Sequence, residues 1–89
     1  MPEDIEAIAR KEVDRVDMII ERMSVTDPER AASLRGVLMS YYQDCKGFFQ
    51  SGKYLQCVEA AFICWAYVDA GLHLGVFSVP EDMQDIFTV

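Results

Sequence analysis

Along the first stretch of the chain apolar residues recur at Ile5, Ala9, Val13, Val16, Ile20 and Met23, with Ile8 and Ile19 widening the stripe. Steps of three and four place them on one face of a helix. The positions between are charged (Glu6, Arg10, Lys11, Asp14, Arg15, Asp17, Glu21, Arg22), so the other face meets water. Pro2, Glu3, Asp4 and Glu6 set acids in the first turn, where they complement the positive helix end. Residues 3–23 read as an outer amphipathic helix.

Ser24 to Glu29 is a stop followed by a start. Thr26 with Glu29 three residues on makes a capping box, and Asp27 before Pro28 is an alternative cap. A second helix over about 28–50 carries the cleanest stripe: Ala31, Leu34, Leu38, Tyr41, Cys45 and Phe48, broadened by Tyr42 and Phe49. Alternating steps of three and four favour near-antiparallel packing with a left-handed twist. Ser51-Gly52 ends the run, with Gly52 suited to the left-handed stop. The third helix, about 53–74, follows at once and must be the second helix's antiparallel neighbour. It carries two adjacent stripes, Tyr54, Val58, Ala61, Trp65, Val68, Leu72 and Cys57, Ala60, Cys64, Tyr67, Gly71. Two stripes require two neighbours, so this helix belongs at the centre, and Gly75 closes it.

The tail, 76–89, begins with a stretch before Pro80 that reads as extended, because the residue before proline avoids the helical region. Pro80 to Phe87 fits a short helix with two acids in its first turn, and its apolar residues call for packing back across the bundle. The expected fold is therefore all-α. It is an antiparallel three-helix bundle in a single domain, 1–89, with the segment 76–89 laid across it, helical or extended.

Composition supports this and narrows the function. At 52% hydrophobic the chain can build a core despite its 89 residues. Fifteen acids against eight bases give a net charge of −7, and the bases are scattered without a cluster of three. Displacing counterions from nucleic-acid phosphates takes several grouped cations, so neither nucleic acid nor an anionic membrane is the expected partner. The apolar run from Ala60 to Val68 is nine residues, bounded by Glu59 and Asp69, against about 20 for a span. The start is acidic where a secretory signal needs basic charge. Cys45, Cys57 and Cys64 are odd in number and sit in apolar helical runs. Free core thiols in a reducing cytoplasm are the expectation.

Strong chemical motifs are missing: no phosphate-binding glycine loop, Cys-x-x-Cys, His-Glu-x-x-His or Gly-x-Ser-x-Gly occurs. No catalytic residue, cofactor or metal is assigned. The polar candidates are Glu59, Asp69 and His73, which share a face of the third helix. They keep open a second reading as a small enzyme or metal protein, beside the plainer one of a solvated helix edge with His73 against the last carbonyls. The thiols are spaced too widely for one ion. Aromatics are the remaining feature. Tyr42, Phe49 and Phe62 fall off the main stripes, and a bundle this small has limited interior to absorb them. Exposed aromatics are common anchors of partner interfaces, so they mark an expected interaction surface, for a homo-oligomer (a dimer in the simplest case) or another protein.

Gly52-Lys53-Tyr54, Glu59-Ala60-Ala61-Phe62 and the block Trp65 to Phe77, with the closing Ile86-Phe87-Thr88-Val89, resemble the archaeal family catalogued as domain of unknown function 357. The resemblance implies a compact antiparallel helical bundle and transfers no catalytic residue. It also implies that Asp69, Gly71 and Gly75 act as a unit. A physical reading has Gly71 permitting close helix approach, Gly75 stopping the helix and Asp69 accepting hydrogen bonds from the folded-back tail.

Overall fold

In the computed structural model, which describes residues 4–87, the Asp4 side chain accepts a hydrogen bond from the Glu6 amide and starts α1, Ile5–Arg22. The expected helix start at residue 3 and the ends of the tail and of the closing family-like stretch, 88–89, lie outside the described residues. Asp27 caps α2, Pro28–Gln50, through the Arg30 amide, with Pro28 in the first turn. Of the two caps open in the sequence this is the one used. Thr26 instead donates its hydroxyl to the Gly75 carbonyl at 2.9 Å. Three residues join α2 to α3, Tyr54–His73, and Gly52 and Gly75 take the left-handed conformation, φ +73 for each, that ends a helix.

The three long helices run up, down and up. The α2–α3 interface is the most extensive, α1–α3 the next and α1–α2 the least, so α3 is central. Its two stripes are both consumed: Cys57, Val58, Ala60, Ala61, Cys64, Val68 and Gly71 are buried. Helix α3 is also long and apolar enough to cross a membrane by length and composition alone. Core helices meet the same description, and here its buried residues belong to the core shared with Ala9, Val16, Leu38 and Cys45. The α2 stripe lies as its spacing foretells, with Ala31, Leu38 and Cys45 fully inside.

Two features depart from the sequence reading. In α1 the buried line is Ala9, Glu12, Val16 and Ile19, shifted round from the expected one, and Ile5 is exposed. Glu12, 4% exposed, is the one buried charged residue among those described; Arg15 holds its two carboxylate oxygens at 3.0 and 3.1 Å. The second departure is a ribbon, built on the stretch before Pro80 that is extended as expected. Ser24–Val25 (β1) pairs antiparallel with Phe77–Ser78 (β2), in register Ser24 to Ser78, and the Thr26 amide extends it to the Val76 carbonyl.

The tail packs across the bundle. Phe77, Val79 and Met83 are buried, a 3-10 helix covers Glu81–Ile86, and Phe87 reaches Trp65 at 5.3 Å between ring centroids. Arg22 clasps Asp82 at 2.9 Å. Gly71 is a correction to the expectation of close helix approach: a Cβ there would lie 2.0 Å from Phe77 Cδ2, so its hydrogen makes room for a tail ring.

Candidate interaction surface

The three nominated aromatics have different fates. Tyr42 is half-buried; its hydroxyl donates to Asp17 of α1, and Lys46 sits 5.2 Å above its ring and 3.4 Å from the same carboxylate. Burial, then the neighbouring Asp17 carboxylate, pushes the Tyr42 phenol above its ordinary range. Phe49 is also half-buried. It meets Tyr54 edge-on at 5.5 Å under the Arg10 guanidinium at 5.0 Å, while Tyr54 donates to Glu6 at 2.7 Å. Both rings thus fasten α1 to the α2–α3 pair. Phe62 is different: 58% of it is exposed.

Two turns before it stands Leu55, 61% exposed, which the sequence reading passed over. Its signal was available, because a spacing of seven puts it on the Phe62 side of the helix. Beside this ridge, α2 and α3 enclose a shallow groove lined by Tyr41, Phe48, Ala60 and Ile63, with Asp44, Gln56 and Glu59. Tyr41 stacks on Tyr67 at 5.9 Å and carries the aromatic surface onward. Glu59 stands between ridge and groove, three residues from Phe62 and four from both Leu55 and Ile63. Another depression of the surface lies along the charged side of α1, where Asp4, Glu6, Arg10, Lys11, Asp14 and Arg15 leave it open to water. It offers no enclosed chemistry.

The polar candidates do not form one site. His73 Nε2 lies 3.8 Å from Asp69 Oδ1. Glu59 is ten residues before Asp69, about 15 Å along the helix. No group of three or more His, Cys, Asp or Glu that could hold a metal occurs among the described residues. The cysteines are free and buried. Cys45 and Cys57 face each other across α2 and α3 with Sγ atoms 3.7 Å apart. Burial pushes the Cys45 thiol up to about 12 and Cys64 to about 11, and raises Cys57. Thiols held protonated in this way are poor nucleophiles and poor ligands.

No family model, curated protein or solved structure matches the chain. The family likeness read from residues 52–77 and 86–89 therefore rests on those residues themselves.

Proposed function

We propose that the protein is a protein–protein interaction module of the cytoplasm that docks through the outer face of α2 and α3. The observation that carries this reading is the Leu55–Phe62 ridge, two large apolar side chains left mostly in water beside an apolar groove. Exposing them stabilises nothing in the single chain, whereas covering both on a partner would remove apolar area worth about 1.5–3 kcal/mol per side chain. The free, buried thiols support a reducing compartment. No observation favours the enzyme or metal reading, since Glu59 lies far from Asp69 and His73.

The test is the double substitution Leu55→Ser with Phe62→Ser. If the ridge is for docking, the melting temperature stays within about 5 °C of the parent, near 1 kcal/mol for a domain of this size, and binding of an apolar surface dye to the native chain falls. A larger loss of stability would make the two side chains structural and overturn the reading. Sedimentation at rising concentration then reads the occupant. A mass that grows, and returns to monomer in the double variant, identifies a second copy.

A further inference from the structure

We propose that the occupant of this face is a basic amphipathic helix of another protein, an inference that rests on the docking reading above. The ridge Leu55–Phe62 and the groove beside it each extend over seven residues of helix, about 10 Å or two turns. That length suits a helix presenting apolar anchors at i, i+3 or i+4, and i+7. The charge around the groove selects the sign of the partner. Its only ionised lining groups among the described residues are Asp44 on α2 and Glu59 on α3, both exposed.

Four of the chain's eight cations are engaged on other faces. Arg10 lies over Phe49, Arg15 holds Glu12 and covers Trp65 at 4.7 Å, Arg22 clasps Asp82, and Lys46 meets Asp17 and Tyr42. A second copy would bring the same two carboxylates and another −7 into the contact, and like charges brought together disfavour association. A helix edged with Lys or Arg meets the opposite condition. Its apolar anchors fill the groove while long cationic stems lie along Leu55 and Phe62 and carry their charge to Glu59 and Asp44. Because Glu59 is ringed by Leu55, Phe62 and Ile63, docking removes water from around that carboxylate and strengthens its pairing with a cation.

The test titrates the isotope-labelled chain, followed by its amide NMR signals, with two synthetic helical peptides of about 14 residues. Both carry the same leucine stripe, one with lysines and the other with glutamates on the polar face. The lysine peptide is expected to move signals of residues 41–48 and 55–63 and to bind at least about tenfold more tightly than the glutamate peptide. Glu59→Lys with Asp44→Lys weakens it by about tenfold or more and favours the glutamate peptide. Asp14→Lys with Glu21→Lys changes the net charge equally on the exposed side of α1 and leaves binding within about twofold. Equal binding of the two peptides, or an equal loss in the α1 variant, would overturn the basic-helix inference and leave the docking face standing. Groove signals that move with protein concentration alone would assign the face to a second copy and overturn it too. If neither peptide moves these signals, the docking reading itself fails.

Discussion

Substituting Gly71 by Ala probes how the tail is held. The added Cβ would sit 2.0 Å from Phe77 Cδ2 and 2.6 Å from Cγ, with backbone on one side and a ring only 3% exposed on the other. Crowding of this kind costs about 1–3 kcal/mol when side chains shift to absorb it. If the ring is expelled instead, its lost burial is worth about 1.5–3 kcal/mol. The better helix propensity of Ala returns about 1 kcal/mol. The net expectation is a loss of up to about 2 kcal/mol, a fall of up to roughly 15 °C in melting temperature, read by circular dichroism and urea titration. Gly36 and Gly47 in α2 serve as controls, because a Cβ at either meets nothing within 4 Å. Ala at those positions should stabilise by up to about 1 kcal/mol. In the Phe77→Ala background the Gly71→Ala loss should disappear and become a small gain, a coupling that a double-mutant cycle isolates. A Gly71→Ala chain that melts at or above the parent, or losses that simply add, would refute the wedge between ring and helix.

Arg15→Ala should cost about 1.5–3 kcal/mol, because it leaves the buried Glu12 carboxylate without its two hydrogen bonds and uncovers Trp65. Arg22→Ala, which breaks the exposed pair with Asp82, should cost at most about 1 kcal/mol; equal losses in chemical denaturation would argue that Glu12 is solvated otherwise. Alkali should destabilise the fold. The folded chain keeps protons on Cys45 up to about 12 and on Cys64 up to about 11, while the unfolded thiols lose theirs near 9.0. Stability is therefore intact below about pH 9 and falls as pH rises towards 11–12, by at most about 1.4 kcal/mol per pH unit for each thiol. Urea midpoints across that range should slope less steeply for Cys45→Ala than for the parent, and identical slopes would contradict the assignment.

Much of the architecture was legible because local signals agreed with one another. The three-and-four alternation of Ala31 to Phe48, the Asp27-Pro28 start and the left-handed stops at Gly52 and Gly75 each depend on neighbours in sequence, and the structure honours them. What escaped depends on distant partners. Ser24–Val25 has no strand pattern of its own and becomes one only because Phe77–Ser78 lies alongside. Glu12 sits on the core line of α1, yet its letter reads as surface, since burial of this carboxylate goes with the two hydrogen bonds from Arg15. The site was half legible for a related reason. Helix α3 is apolar on most sides, so its sequence alone does not say which sector is left over once α1, α2 and the tail have taken theirs. Phe62 stood out by its place off the stripes; Leu55 and the groove emerge only from the packing.

The ribbon that ties Ser24 to Ser78, 54 positions apart, also orders assembly in time. Three residues separate α2 from α3, and short connections close with less loss of chain entropy than long ones, so this hairpin nucleates early. The ribbon joins segments far apart in sequence, so it is expected to form after the hairpin and to be the last latch to fall. The same latch is the first to lift in a native fluctuation. Exchange with solvent hydrogen should begin at the Thr26 amide, which the Val76 carbonyl holds, and the earliest opening lifts Phe77 from the notch at Gly71 while the hairpin endures.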